Sequence, residues 1–231
     1  MNRTNEHGQP IGEPVPGWTP RPRPGRQPIE GRWCRIEPLD PARHAGALSR
    51  AFAADADGRM WTYMGYGPFA TAEDYRRWAE PAAASEDPLF YAILDRHSGE
   101  ACGIAAYLRI EPAVGVLEIG HIALAPALQR TAAATEAMYL LMRRAFDELG
   151  YRRYEWKCDA LNAASRAAAL RLGFDFEGIF RQATIYKGRN RDTAWYALID
   201  QDWPARRAAF EAWLAPTNFA PDGSQLRPLA R

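Results

Sequence analysis

The segment of this 231-residue sequence best equipped for chemistry joins a strand-like run to a helical one. The run is Leu117-Glu118-Ile119-Gly120-His121-Ile122-Ala123-Leu124-Ala125-Pro126, and the helix opens after Gln129-Arg130-Thr131-Ala132-Ala133-Ala134. Free backbone N–H groups and the macrodipole make a helix start an anion site, and small residues there let a phosphate approach the backbone. An ordinary connection with an Ala-rich first turn uses the same residues. Glu118 and His121 are the titratable groups on the strand. Strict alternation puts them on opposite faces, so only one faces a substrate unless a bulge intervenes. Glu118 also suits an ion-paired strand glutamate, and His121 a packed or hydrogen-bonded imidazole. Trp61, Tyr63, Tyr66 and Phe69 crowd one loop, where they can wall a site for a cationic amine or form a satellite core. Cys34, Cys102 and Cys158 have no Cys-x-x-Cys spacing, which argues against a disulfide frame and a zinc site; no metal is expected. A cysteine nucleophile would need a neighbouring base that the sequence does not show.

Hydrophobic periodicity supplies the elements that must hold these groups. A strand over residues 32–39 precedes a helix capped by Asp40-Pro41 and running to about Ala54. Thr71 caps a second helix to about Ala79. Strands over 89–94, 101–110 and 116–124, joined by short links, predict an antiparallel meander. Ala134, Met138, Leu141, Ala145 and Leu149 form one helical stripe that Glu136, Arg143, Asp147 and Glu148 mostly avoid. A strand over 153–158 leads through Asn162 into a helix to about Leu172. Strands over 174–186, with a break, and 193–199 follow. A meander followed by strand, helix, strand, helix, strand predicts a mixed α/β sheet.

Composition bounds the function. With 47% hydrophobic and 25% charged residues and a formal charge of +1, the chain has ordinary globular composition. It lacks the global field that would hold nucleic acid or an anionic membrane, so neither is an expected partner. Cysteine usage and the absence of a signal-like start point to the cytoplasm. Seven of the eighteen prolines fall in the first thirty residues. Residues 1–30 therefore read as a Pro-rich arm, 31–203 as the domain, and 204–231 as a short helix and tail. Val15, Trp18 and Ile29 give the arm apolar anchors for docking, against the alternative of a free tail.

The stretch from Arg32 to Trp203 resembles the GNAT superfamily of acyl-CoA-dependent N-acetyltransferases, in particular its Rim-type branch of ribosomal-protein N-terminal acetyltransferases. Gln129 to Ala134 occupy the positions of the family's Gln/Arg-x-x-Gly-x-Gly/Ala loop, with alanine at both glycine positions. Alanine suffices there if the backbone keeps helical angles. Asn162-Ala163-Ala164-Ser165, ending in Leu172-Gly173-Phe174, is similar to the family's Asn-x-x-Ser/Ala helix, and Arg181 with residues 187–192 to the branch's late hairpin.

The resemblance implies a GNAT-like fold with a splayed central strand pair, and transfer of an acetyl group from acetyl-CoA to a primary amine, on a small molecule or peptide N-terminus, without a covalent enzyme intermediate. It places Glu118 as general base, with His121 as competitor, and the oxyanion donor among the N–H groups of Ala123 or Leu124, with Ile122 beside them. Gln129, Arg130, Thr131, Ala132, Ala133 and Ala134 would hold the cofactor's phosphates and Asn162 its arm, although a helix N-cap also explains Asn162. Many relatives use a tyrosine where this chain has Ala169; Ser165 is the substitute acid. A succinyl-CoA donor, its distal carboxylate paired by Arg181, Arg189 or Arg191, and a non-catalytic acyl-CoA-binding module are the alternatives. The late strands and residues 203–214 offer a homodimer surface.

Overall fold

Alternating apolar residues in successive segments build one mixed sheet, and the sequence order of its strands fixes where it opens. The computed structural model describes residues 3–230; residues 1, 2 and 231, at the ends of the expected arm and tail, lie outside the described residues. A small ribbon, β1 (Arg3–Thr4) and β2 (Pro10–Ile11), precedes the main sheet. That sheet comprises β3 (Ile29–Glu30), β4 (Cys34–Pro38), β5 (Leu89–Asp95), β6 (Ala101–Glu111), β7 (Val116–Leu124), β8 (Arg153–Asp159), β9 (Asp175–Tyr186) and β10 (Arg189–Ile199). Its order is β3-β4-β5-β6-β7-β8-β10-β9, antiparallel throughout except between β7 and β8.

Five helices cover it: α1 (Pro41–Ala53), α2 (Ala72–Ala84), α3 (Ala132–Arg143), α4 (Ala163–Arg171) and α5 (Trp203–Trp213). Helices α1 and α2 bury Leu48, Phe52, Tyr75 and Ala79 against Phe90, Ile104 and Ala106 on one face. Helices α3, α4 and α5 bury Met138, Leu141, Ala169 and Phe210 against Tyr107, Leu117 and Tyr154 on the other. Among the described residues no helix is long and apolar enough to cross a membrane.

Several elements differ from the sequence expectation, each for a local reason. Helix α2 continues past Ala79 to Ala84 with Pro81 inside it. Glu136, expected to avoid the buried stripe, is buried because its carboxylate accepts the backbone N–H groups of Arg32, Trp33 and Cys34 at 2.7–2.9 Å. After Arg143 the helix widens to one π turn over Arg144–Glu148, and the buried Arg144 donates to the Gln27 and Pro28 carbonyls. Strand β10 begins at Arg189 because Lys187 and Gly188, both at positive φ, make a two-residue hairpin turn whose twist matches the strands. Residues 203–214 are two-faced: Trp203, Phe210, Trp213 and Leu214 belong to the chain's own core, with Phe210 5.4 Å from Tyr139, while Pro204, Ala205, Arg207, Ala208, Glu211 and Ala212 are exposed.

The Pro-rich segment lies on the domain. Trp18 donates its indole N–H to the Ala113 carbonyl at 2.8 Å and stacks under Arg21, while the Tyr91 hydroxyl donates to the Gly25 carbonyl. Gly115, at φ +66°, leaves the space Trp18 fills: a Cβ there would sit 2.4 Å from the indole. These contacts tie the β6–β7 turn at the end of β7 remote from the opening described next.

Candidate active site

Strands β7 and β8 pair in parallel only from Val116↔Arg153 to Ile119↔Trp156. Beyond that point residues 120–124 and 157–159 diverge, leaving a wedge open to both faces of the sheet. The cause on the β7 side is a bulge: between the pairs Ile104↔Ala123 and Ala106↔Gly120, one residue of β6, Ala105, faces two of β7, His121 and Ile122, and His121 takes φ +50°. The bulge also overturns the alternation argument. His121 turns to the face of α1 and α2, the face Glu118 shares, and stacks on Tyr66 with its Nδ1 3.2 Å from the Tyr66 hydroxyl and its ring 4.9 Å from Phe90.

Backbone polarity inside the wedge follows from one hydrogen bond. Ala125 donates its N–H to the Cys102 carbonyl of β6, so alternation turns the N–H of Leu124 away from β6 and into the opening. The Leu124 carbonyl points the same way and is capped by the Gln129 side chain at 2.9 Å. The turn to α3 needs one left-handed residue, which is Arg130 at φ +61°. Ala132, Ala133 and Ala134 lie within helix α3, so the paired alanines carry no strain where the family loop has glycine. Thr131 caps Ala134 N–H at 3.1 Å, and its own hydroxyl donates to the Leu128 carbonyl. The N–H groups of Ala132 and Ala133 find no acceptor among the described residues and face outward from the helix start, next to the wedge.

Ser165 sits on the α3–α4 face of the opening. Asn162 caps α4 by accepting the Ser165 N–H at 3.0 Å, so the N-cap reading of Asn162 holds in its Oδ1 while its amide N–H₂ stays free. Trp156 donates its indole N–H to Ser165 Oγ at 3.0 Å, which leaves the hydroxyl proton for another acceptor. Cys158, at the edge of the wedge, is buried, and burial pushes its thiol pKa up, away from nucleophilic chemistry.

Glu118 is buried on the opposite face. Its Oε2 lies 3.1 Å from both Lys157 Nζ and Arg109 Nε, and Lys157 also meets Glu155 at 2.6 Å and lies 3.7 Å from the Trp195 ring centroid. Burial raises the Glu118 pKa above the usual glutamate value, with Lys157 and Arg109 opposing the rise. Its Oε1 leans over Gly120, where an added Cβ would lie 3.4 Å from it. The carboxylate thus has one oxygen fixed by cations and one turned toward the bare backbone at the wedge. Sequence spacing alone could not reveal Lys157 as its partner, because the two meet only through the parallel β7–β8 register.

The aromatic loop is part wall and part core. Trp61 is wholly buried beside Phe52 and Phe69, whereas Tyr66 stacks between Trp78 and His121. Burial raises the Tyr66 pKa well above its ordinary value and lowers that of His121, with the Arg191 charge adding to the latter. Tyr63 reaches the Leu161 carbonyl at 3.2 Å, Lys187 of the late hairpin reaches the Trp61 carbonyl at 2.8 Å, and the Tyr186 hydroxyl donates to buried Asp159 at 2.7 Å. These contacts set the β9–β10 hairpin against the aromatic loop, and the two bound the α1–α2 side, or chamber, of the wedge. Arg181 and Arg189 are exposed, and only Arg191 of the three arginines considered for a distal carboxylate is half-buried.

Residues 34–175 match the family model described as an acetyltransferase (GNAT) domain. A GCN5-related N-acetyltransferase from Brucella melitensis is 48% identical, with a TM-score of 0.91 over 93% of this chain and 97% of its own. A Chromobacterium violaceum structure described as a probable GNAT-family acetyltransferase is 42% identical, with a TM-score of 0.79 over 84% of this chain and 97% of its own. The Bacillus subtilis protein YdaF, named as a proposed ribosomal N-acetyltransferase, is 27% identical over 64% of this chain and 80% of its own length.

Proposed function

The chain belongs to the GNAT acetyltransferase family, and from that premise we propose that it moves an acetyl group from acetyl-CoA to a primary amine by direct attack in a ternary complex. The observation that carries this reading is the wedge between β7 and β8. It is the passage where a donor lying along α3 and α4 meets an acceptor entering from the α1–α2 chamber. On the donor side, the unpartnered N–H groups of Ala132 and Ala133 and the macrodipole of α3 suit a pyrophosphate. The Leu124 N–H suits either a pantetheine amide added as a pseudo-strand or the oxyanion of the reacting carbonyl.

The chemistry then assigns one role per group. The amine enters past Tyr66 and His121, whose rings accept its cationic form. Glu118 Oε1 takes its proton, directly or through a water over Gly120, and burial strengthens that carboxylate as a base. The nitrogen lone pair forms the C–N bond, the carbonyl electrons move to oxygen against the Leu124 N–H, and collapse breaks the C–S bond. Ser165 donates its hydroxyl proton to the departing thiolate and regains one from water. His121, held neutral by burial, orients the amine and serves as the second acceptor for its proton.

Free-thiol release from acetyl-CoA, followed with peptide N-termini, polyamines and amino acids as acceptors, tests the reading. Glu118→Gln lowers kcat/KM by about 10²- to 10⁴-fold, and Ser165→Ala by less, since thiolates leave readily. An unchanged rate in Glu118→Gln overturns the base assignment; thiol release with none of the amines overturns amine transfer.

A further inference from the structure

We propose that Arg191 is a specificity residue of the chamber and binds a carboxylate carried by one of the two substrates. The inference rests on the acyl-transfer reading and names the substrate chemistry for it. Thr193 pairs with Asp159, the last residue of β8, so β10 continues past the end of β8 and carries Arg191 beyond it, close enough for its charge to act on His121. The guanidinium Nε donates to Thr193 Oγ1 at 3.2 Å, on the same side of β10, and its Cζ lies 5.9 Å from the Tyr186 ring centroid. Its two terminal nitrogens have no acceptor, and no carboxylate among the described residues lies within ion-pair distance of it.

The charges around it reinforce the point. Asp159 is the acid at this end of β8, and both its oxygens are committed, one to the Leu161 N–H and one to the Tyr186 hydroxyl. Lys187, on the same hairpin, is a second cation without a carboxylate partner, its ammonium resting on the Trp61 carbonyl. The remaining wall, Tyr63, Tyr66, His121 and Tyr186, is uncharged, His121 being held neutral by burial and by Arg191 itself. Arg153, half-buried on the neighbouring β8, is matched by Glu155 and Glu177, and Arg191 has no such match. A half-buried planar fork with two free edges beside uncharged rings is suited to bidentate carboxylate binding.

The carboxylate has two sources, and the geometry of the wedge admits both: the acceptor, as in an α-amino acid, or the acyl group, as in succinyl-CoA. One arm of the test compares kcat/KM for an amino acid and its amide with acetyl-CoA; the other compares succinyl-CoA and acetyl-CoA with a fixed uncharged amine. In one arm the carboxylate-bearing substrate is preferred, and Arg191→Gln lowers that preference ratio about 10- to 100-fold, the range of a charged hydrogen-bond pair, while Arg191→Lys lowers it less. A uniform loss that leaves the ratio constant, or transfer with no carboxylate preference in either arm, overturns the proposal and leaves the acyl-transfer reading standing. No transfer from either donor overturns both.

Discussion

Replacing Lys157 with methionine removes the cation shared by two buried carboxylates, and its consequences can be worked from the distances. Lys157 Nζ lies 3.1 Å from Glu118 Oε2 and 2.6 Å from Glu155. At an effective dielectric near 20, one unit-charge pair at that separation is worth about 5 kcal/mol. Because the ammonium is shared with Glu155, and Arg109 stays beside Glu118, about half of that is lost to Glu118 alone. Losing a cation that opposes the effect of burial raises the Glu118 pKa further above its already elevated value. A general base works deprotonated, so the acid limb of kcat/KM moves to higher pH by the same amount. The folded state also loses about 3–5 kcal/mol as a broken buried pair, or about 6–20 °C in Tm for a chain of this size. The sign of its pH dependence is fixed: protonation of Glu118 neutralises it, so the Tm deficit is smallest at acid pH and grows as pH rises through the Glu118 pKa. Adding Glu155→Met to Lys157→Met recovers part of the stability. The assays are pH profiles of thiol release and thermal unfolding from pH 5 to 8. An acid limb that stays put refutes Glu118 as the base, and a deficit independent of pH refutes the shared-cation account.

Two further outcomes follow from the same geometry. Trp18→Ala loses the 2.8 Å bond to Ala113 and the stack with Arg21, costing about 1–3 kcal/mol in thermal unfolding. Its kcat/KM changes far less than its Tm, because the arm grips the end of β7 remote from the wedge; a fully stable variant refutes the docking role. His121 has its pKa lowered from the ordinary 6.5 by burial and by Arg191, so the unfolded chain binds a proton the folded chain refuses. Stability is therefore present above pH 6.5 and lost as pH falls through the lower folded value. His121→Asn flattens the thermal melts between pH 6.5 and 5, and an unchanged slope refutes a buried, neutral imidazole.

How much was legible in the sequence depended on how local the cause was. The bounds of β7 and the cap of α2 by Thr71 came from patterns within a few residues, and the structure keeps them. The splayed pair and the placement of Glu118, Ser165 and the α3 loop came from resemblance, because no periodicity encodes a gap between strands distant in sequence. The bulge that brings His121 to the face of Glu118 was allowed for but could not be located, since a bulge of one residue leaves no compositional mark when the left-handed residue is histidine. Lys157 and Asp159 were invisible as site residues because their partners lie across parallel or antiparallel registers. Glu136 looked like a solvent residue and is instead a buried cap, a role set by the chain of β4 entering beside α3.

The central claim is that the wedge between β7 and β8 holds the donor, with the Leu124 N–H and the start of α3 as its backbone ligands. Hydrogen exchange with and without coenzyme A tests it most directly, under conditions where titration shows saturation. The account predicts slowed exchange at the amides of Leu124, Ala132 and Ala133, with the β6–β7 turn at residues 112–115 unchanged. Saturating coenzyme A that leaves those three amides exchanging at their free rate would contradict it.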